Sequence, residues 1–350
     1  MRKLPGPALV ACLSSAMDSD AVTCPARRAF LADLIRLAAV LPLGDWSRRT
    51  AQKRVPRIGF MSGAEPSLIS SFEDEMRKLG YAEGQNIHVE MRLARINTND
   101  TAVHAAELGA MDLDFVVAAA LPQALALRQA NPKMPMVIIT CPGMVSNGFA
   151  ETLERPGGIY TGMDELPPGV TRKRLQLLKR AAPTISRVAL LSTTPGRGGH
   201  ETQLADAEGA ARDLGFSVKV YRAGSPSELN TALDALGRDE MNGLINFQGG
   251  LSLANRQVIV DFAAARRIPA VYQSAFFVES GGLMAWAPDQ REQYRMAARY
   301  ADQILKGRKP GDIPVRHPEP YQLHLNKRAA AAIGLTLPAD LLAEADKVLS

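Results

Sequence analysis

From Pro56 onward, short β-branched segments alternate with segments of helical periodicity, and this alternation constrains the fold more than any other feature of the chain. Strand patterns at 57–61, 187–191 and 243–247 are each followed by a helical pattern. Such alternation is typical of parallel sheets whose faces are covered by helices. Because two similar series follow one another, the sequence predicts an α/β fold with two Rossmann-like lobes built on parallel sheets.

The size and charge of the chain agree with two soluble lobes. At 350 residues, 46% of them hydrophobic, it exceeds the length at which single cores stop growing, roughly 250–300 residues. Residues 1–54 contain nine Lys or Arg and four Asp or Glu, whereas 55–350 contains 32 of each. The body is therefore neutral and lacks the net basic field of a nucleic-acid binder. No segment reaches the roughly 18 consecutive apolar residues of a membrane helix.

The last third of the chain carries a series of recognisable segments. They are IPAVY (268–272), ESGGLMAWAPD (279–289), ILKGRKP (304–310), PYQLHLN (320–326) and LPADLLAEAD (337–346). These segments resemble the ABC-transporter substrate-binding protein family of bacteria, in the branch with a type I periplasmic-binding-protein fold whose better-known members carry aromatic or branched amino acids. The resemblance is most specific at this end and extends more loosely from about Val55.

The resemblance implies two lobes joined by a three-strand hinge, with crossings near 161–164, 283–287 and 309–320. The expected first lobe is 55–162 with about 285–310, and the second is 163–284 with about 311–350. Several thin connections allow such lobes to rotate as rigid bodies. A receptor of this kind captures and releases a solute, so the resemblance implies no catalytic residue, no cofactor and no metal. Its expected partners are a small-molecule solute and an ABC permease in the inner membrane, and the expected state is a monomer.

Parallel sheets bind ligands outside the carboxyl ends of their strands, beside helix N-termini, and the candidate ligand site is located by this rule. Residues of the strand-end loops are therefore candidates for ligand binding: Ser62, Ser67, Leu121, Pro122, Gln123, Pro142 and Met144 in the first lobe, and Thr193, Gln248, Gln273 and Phe276 in the second. Hydroxyls, amides and apolar groups together favour a small carboxylate with an apolar or aromatic body.

Several of these residues also have a plain structural interpretation. Ser62 and Ser67 fit helix N-caps equally well, and Trp286 at a crossing fits packing of the hinge better than ligand contact. Relatives usually have a hydroxyl-bearing Gly-Thr-Pro loop where this chain has AALP at 119–122. The amino-acid specificity of relatives is therefore not transferred to this chain.

Residues 1–54 are interpreted as a leader. The segment ARRAFL (26–31) matches the core of a twin-arginine export signal, and 34–43 supplies an apolar region, although Asp33 and Arg36 interrupt the run. The leader predicts export to the periplasm with cleavage near Ala51. Cys141 is then the only cysteine of the mature body, which excludes an internal disulfide and favours a buried, inert thiol.

Two alternatives remain open at this point. The turn GRGG at 196–199 follows a strand, and Arg222 ends the next strand, as in an oxidoreductase that binds NADP. The turn lacks the full G-x-G-x-x-G spacing. The second alternative is a ligand-sensing effector domain without a DNA-binding module, since residues 1–55 show no helix-turn-helix pattern. The five histidines are scattered and do not favour a zinc site.

Overall fold

The computed structural model describes residues 54–63, 66–93, 100–193, 198–247 and 249–350, and Val55–Ser350 form one compact unit. The strands are β1 (Arg57–Ser62), β2 (His88–Leu93), β3 (Phe115–Ala120), β4 (Met136–Cys141), β5 (Tyr160–Asp164), β6 (Arg187–Ser192), β7 (Ser217–Arg222), β8 (Gly243–Phe247), β9 (Ala270–Tyr272), β10 (Met284–Pro288), β11 (Tyr321–Asn326) and β12 (Lys347–Leu349). The helices are α1 (Pro66–Lys78), α2 (Asp100–Ala110), α3 (Leu121–Ala130), α4 (Val170–Ala181), α5 (Gly198–Asp213), α6 (Pro226–Arg238), α7 (Gly250–Ala254), α8 (Arg256–Ala265), α9 (Ala275–Glu279), α10 (Gln290–Leu305), α11 (Lys327–Ala332) and α12 (Ala339–Glu344).

The first sheet has the strand order β2-β1-β3-β4-β5, and all its pairs are parallel. Its inner strands are buried on both faces. In β3, Phe115 and Val117 belong to one core cluster, whereas Val116 and Ala118 belong to the cluster on the other face. This double burial explains why β3 reads as a continuous apolar run instead of an alternating one.

The second sheet has the order β12-β11-β10-β9-β8-β6-β7. Its pairs are parallel except β10 with β11, which run antiparallel with Trp286 opposite Leu323. Again each face carries a core, with Val188 and Leu190 in one cluster and Ala189 and Leu191 in the other. The predicted fold is confirmed: two α/β lobes with largely parallel sheets, of the type I periplasmic-binding-protein class.

The chain passes between the two sheets three times. It leaves the first sheet after β5. Strand β10 still pairs with β9 and β11 in the second sheet, so the chain returns to the first lobe only after β10, a few residues later than the expected crossing at 283–287. Residues 310–316 stay with the first lobe, where Thr161 Oγ1 donates to the carbonyl of Ile313 at 2.8 Å and Met163 pairs with Arg316. The crossings therefore lie at 165–169, at residue 289 and at 317–320.

Helix α10 packs against α1 although it follows the second sheet in the chain. Tyr294, Ala297 and Ala301 of α10 enter the same core cluster as Phe60 and Phe72. Most other elements lie where the periodicity predicts them. Helix α8 agrees with the helical pattern at 254–265 that follows the strand pattern at 243–247, and the short helix α7 before it is an addition. No prediction covers α2, whose buried positions are only Ala105 and Leu108.

Candidate functional site

Loops at the carboxyl ends of strands in the two lobes touch each other. Pro142, after β4, lies with its carbonyl oxygen against Gly199 in the first turn of α5, where an added Cβ would overlap that oxygen. Ser274, after β9, donates its hydroxyl to Gln290 Oε1 in the first turn of α10 at 2.9 Å. Phe276 of the second lobe packs against the core cluster of the first. The strand-end loops of the two lobes are thus apposed across a cleft.

Several buried side chains at the ends of the elements that border this cleft have a nitrogen or oxygen without a hydrogen-bond partner. Within the described part of the chain they are amides and hydroxyls of both lobes and one guanidinium: Gln123 and Gln293 in the first lobe, and Arg174, Ser192, Thr193, Gln203, Asn246 and Gln273 in the second. Each lies at a strand end or within the first two turns of a helix. We call these eight residues the unpaired set.

The unpaired set is costly unless something binds it. A buried polar group without a partner costs about 1–3 kcal/mol, and native structures keep few of them. No described side chain outside the set has a buried, partnerless nitrogen or oxygen. Because all members of the set lie at strand ends or in the first turns of helices, they indicate a binding site at the edge of the sheets where a ligand can supply donors and acceptors.

Helix α3 adds backbone donors to the same region. Its N-cap is Ala120, which has no side-chain oxygen to accept a hydrogen bond from the first turn. The terminal N–H groups of a helix have no partner inside the helix, and they favour negative charge. Gln123 lies in this first turn, so a polar ligand group that reaches the amide also reaches the end of the helix.

The first crossing is held by Asp164. Its carboxylate accepts backbone N–H bonds from Gly143 at 3.1 Å, Met144 at 2.8 Å and Leu166 at 2.9 Å. Its carbonyl oxygen lies 2.7 Å from Nδ1 of His317 in the third crossing. Asp164 therefore fixes the loop after β4, which includes Pro142, relative to two of the crossings.

Glu165, the next residue, contacts groups from the other crossings. Gln293 Nε2, near the second crossing, donates to its carboxylate at 3.3 Å, and the hydroxyl of Tyr321, after the third, donates to its carbonyl at 3.3 Å. Burial raises the pKa of the Glu165 carboxyl to about 7, although Gln293 and the charge of Arg174 oppose this. Glu165 thus stands where all three crossings meet.

Arg174, in the second turn of α4, reaches the same junction. It is 2% exposed, and its Nε donates to the carbonyl of Trp286 at 3.0 Å, while one terminal nitrogen has no acceptor. Burial lowers the pKa of its guanidinium to about 10, and Tyr321 and Glu165 act against that shift. The ring of Trp286 packs on that of Tyr321, with centroids 5.8 Å apart.

The predicted site residues of the first lobe have different surroundings. Ser62 is buried at the end of β1, with its hydroxyl 3.4 Å from that of Tyr294, and Ser67 is exposed on α1. Leu121 and Met144 are 3% and 0% exposed and pack in the core cluster of this lobe. Their side chains stabilise the core beneath the loops, because apolar groups at these positions face the sheet.

Three further predicted residues of the first lobe stand at the cleft. Gln123 belongs to the unpaired set, and Pro122 precedes it, half-buried, in the first turn of α3. Pro142 makes the contact with Gly199, and its carbonyl also accepts a hydrogen bond from Asn147 Nδ2 at 2.9 Å. This part of the predicted site is brought together by the ends of β3 and β4.

In the second lobe, the structure places Thr193 after β6 and Gln273 after β9, and both belong to the unpaired set. Phe276, half-buried on α9, reaches toward the first lobe. Gln248 lies outside the described residues, as do residues 1–53 of the leader and residues 196 and 197 of the glycine-rich turn.

Five members of the unpaired set are not among the residues that the sequence predicts: Arg174, Ser192, Gln203, Asn246 and Gln293. For Asn246 a signal exists, because it is the one polar side chain in the apolar strand GLINF. Gln203 precedes Leu204 on the buried side of α5, and a polar residue at such a position also stands out. Arg174 and Gln293 carry no comparable signal, since both occur in helices rich in charged residues.

A hollow of about 420 Å³ lies beside the first crossing. It is lined by residues 166–172 and by Thr202, Gln203, Asp206 and Ala210 of α5. Gln203 thus joins this hollow to the unpaired set, whereas Gln123 and Asn246 do not line it.

Other kinds of site find no support among the residues that the structure describes. They contain no group of three or more His, Cys, Asp or Glu that could hold a metal ion. None of their helices is both long enough and apolar enough to cross a membrane. Cys141 is fully buried, and burial raises the pKa of its thiol well above the ordinary value.

Two α/β lobes joined by three crossings, with a polar unpaired set between them, define a solute-binding protein of the type I class. Residues 64–349 match the model of a family described as ABC transporter substrate binding protein. This match covers most of the chain. The chain therefore belongs to the ABC transporter substrate-binding protein family.

Individual relatives agree with the family. A tyrosine-binding protein of Clostridioides difficile (strain R20291) is 23% identical over 297 residues, covering 83% of this chain and 84% of that protein. An ABC domain in complex with L-Trp from Streptococcus pneumoniae has a TM-score of 0.77 at 22% identity, covering 84% of this chain and 99% of that one. The ligand-free, open structure of a substrate binding protein with adhesive properties from Clostridium difficile has a TM-score of 0.62 at 22% identity, covering 85% and 100%. These likenesses concern the fold.

Proposed function

We propose that the protein is the exported receptor of an ABC importer and captures a small carboxylate with an apolar or aromatic body between its lobes. The observation that supports this is the unpaired set, whose members come from both lobes and lie on strand ends and helix starts next to the loops that touch. An amino-acid-like ligand fits a site of amides, hydroxyls and a buried guanidinium with aromatic groups nearby. The names of the relatives, which refer to tyrosine and L-Trp, support the same class of solute.

The proposed mechanism is a shift between open and closed arrangements of the lobes. A ligand favours the closed arrangement only to the extent that it binds that arrangement more tightly than the open one. Gln123 and Gln293 stand on the first lobe and Asn246 and Gln273 on the second, so a ligand that satisfies members of both pairs is bound fully only when the lobes are closed. The closed form is then what the permease in the inner membrane recognises.

The test is a screen of residues 52–350 with amino acids, aromatic acids and short carboxylates. At a hundred times its dissociation constant, a solute that binds only the native state stabilises it by about 2.7 kcal/mol. For a protein of this size the melting temperature rises by roughly 2–4 °C per kcal/mol, so a hit gives several degrees. Small-angle scattering of the same samples should show a smaller radius of gyration with the solute.

Two variants test whether the solute binds between the lobes. Gln123→Ala and Gln273→Ala act from opposite lobes and should each reduce the melting shift, while Gln257→Ala, on an exposed part of α8, should not. A screen that yields neither a shift nor compaction contradicts the carboxylate proposal and leaves a neutral or apolar solute as the next candidate.

The oxidoreductase alternative has less support. Arg222, the residue that would bind the 2′-phosphate of NADP, instead donates to Glu201 Oε2 at 2.8 Å, an ion pair between β7 and α5. We expect no saturable NADP binding by fluorescence titration, and Arg222→Ala should leave solute capture unchanged. Saturable NADP binding that is abolished by Arg222→Ala would favour the oxidoreductase function over the receptor function.

A further inference from the structure

The buried carboxylates of the described chain all have partners. Glu75 accepts from Arg299 Nε at 2.9 Å, Asp302 accepts from a tyrosine at 3.0 Å and a lysine at 2.8 Å, and Asp164 accepts three backbone N–H bonds. Arg174 is different. It is the one buried Lys or Arg in the described ranges, and no described carboxylate lies within ion-pair distance of it.

A hydrogen bond fixes the position of the Arg174 guanidinium beside the hinge. Its Nε is held by the carbonyl of Trp286, just before the second crossing. Glu165 of the first crossing and Tyr321, after the third, are the groups whose charges act on it. Arg174 therefore lies where the three crossings meet, beside Glu165, which in turn accepts a hydrogen bond from Gln293.

The charge of Arg174 is not balanced by the protein. Its pKa of about 10 keeps the guanidinium protonated at neutral pH. The carboxyl whose charge acts on it is Glu165, and because burial raises the pKa of this carboxyl to about 7, it is only partly ionised there. A buried charge without a counter-charge is costly, by several kcal/mol in real proteins. A bound anion that supplies the counter-charge would remove this cost.

We propose that Arg174 is the anion anchor of the cleft: its free guanidinium nitrogen binds the carboxylate of the captured solute, and the solute supplies the counter-charge that the protein lacks. This rests on the proposed function and assigns its carboxylate to one residue. A guanidinium suits the task because it is always charged and its donors match the geometry of a carboxylate. The hydrogen bond from Nε to the carbonyl of Trp286 orients the guanidinium before the solute binds.

The test compares a carboxylate with its uncharged amide. The probes are L-tyrosine and L-tyrosinamide, and L-tryptophan and L-tryptophanamide, measured by isothermal titration calorimetry. The variant is Arg174→Gln, because the glutamine Nε2 stands as many bonds from Cα as the arginine Nε and keeps a donor for Trp286. The wild type should bind the acid at least about thirtyfold more tightly than the amide, the effect of one buried charged partner. In Arg174→Gln the affinities for the acid and for the amide should differ by no more than about threefold, and the affinity for the amide should equal that of the wild type.

Three further variants separate anchoring from structural support. Arg180→Gln, in the last turn of the same helix and paired with Asp340 and Glu344, should change neither affinity. Glu165→Gln should keep the preference for the acid. Arg174→Lys retains a positive charge but lacks the paired N–H donors of a guanidinium, so it should keep part of that preference. It therefore tests the anchor even if Arg174→Gln folds poorly. An Arg174→Gln protein that still prefers the acid as strongly as the wild type overturns the proposal.

The experiment also distinguishes failure of the anchor from failure of the proposed function. If the wild type binds neither the acids nor the amides, its solute is not an aromatic amino acid, and formate at constant ionic strength then serves as the probe. Formate should raise the melting temperature of the wild type and not that of Arg174→Gln. Equal shifts in the two proteins exclude Arg174 as the anchor.

Discussion

The carbonyl oxygen of Pro142 and the α-carbon of Gly199 approach so closely across the cleft that residue 199 has no room for a Cβ. Pro142 belongs to the first lobe and Gly199 to the first turn of α5 in the second. The glycine is therefore required by the contact between the lobes. Wherever the lobes separate, that requirement disappears.

We expect Gly199→Ala to weaken solute binding by about tenfold or more, because the methyl group clashes with Pro142 only in the closed arrangement. A loss of about 1.4 kcal/mol corresponds to that factor. The unliganded protein can relieve the clash by opening, so its melting temperature should change little. Calorimetric titration and a melting curve of the same variant check the two halves of this prediction.

The matched control is Gly209→Ala on the same helix, where the nearest atom to an added Cβ is a flexible arginine nitrogen 3.9 Å away. Alanine is favoured over glycine in a helix by roughly 0.5–1 kcal/mol, so stability should rise slightly. Solute affinity should stay as in the wild type. Equal affinity losses in the two variants would show that the effect of Gly199→Ala does not come from the cleft.

Asn246→Leu should not reduce the free energy of unfolding of the unliganded protein and should raise it by up to about 1–2 kcal/mol. Asn246 is fully buried and neither its nitrogen nor its oxygen has a partner, so the substitution removes a desolvation cost without removing a hydrogen bond. Urea unfolding measures the change. Solute affinity should fall, since the amide is part of the unpaired set.

Asn326→Leu, at a buried asparagine whose side chain does have a partner, should instead lower the free energy of unfolding. The Asn326 side chain accepts from the N–H of Ala329 at 3.0 Å and caps α11. Losing this cap should cost about 1–2 kcal/mol. If both leucine variants lose the same stability, Asn246 has a structural partner and does not belong to a ligand site.

The stability of the protein should depend on Glu165 between about pH 4.5 and 7. Burial raises the pKa of this carboxyl from 4.5 to about 7, so in this range the folded state holds a proton that the unfolded state has lost. The free energy of unfolding consequently falls as the pH rises through this window. Glu165→Gln removes the titration and should be more stable than the wild type at pH 8, by about 1–3 kcal/mol, and no more stable at pH 4.5.

The comparison uses urea unfolding of both proteins across this pH range. Glu73→Gln, the same substitution at an exposed position of α1, serves as the control and should show no such divergence. A constant difference between Glu165→Gln and the wild type at all pH values would contradict the role of burial.

Export should depend on the paired arginines of the leader. Arg27→Lys together with Arg28→Lys should keep the chain in the cytoplasm, because the twin-arginine route requires that pair. A reporter fused after Val55 measures the periplasmic fraction. Equal export of the two reporters would remove the twin-arginine route from the proposal and leave the receptor function to be tested on its own.

Much of the fold follows from local pattern. The apolar runs that became β3, β6 and β8 are buried on both faces, and the helical periods between them cover those faces, so their order along the chain is sufficient to predict two parallel lobes. Strand ends can be counted from the same pattern. This is why the sequence predicts Gln123, Thr193 and Gln273 in loops or first turns that border the cleft.

The chain by itself determined the two lobes, the family resemblance of its last third and the loops that border the cleft, because each depends on neighbouring residues or on a short segment. The tertiary structure alone decided which polar groups lack partners and which groups meet at the hinge. Glu165 and Gln293, 128 residues apart, are joined by a hydrogen bond only because three separate crossings converge. Arg174 resembles every other charged residue of α4 in the sequence, and only the packing of α4 against the second sheet buries it without a counter-charge. Burial and pairing depend on distant residues, so no local pattern contains them.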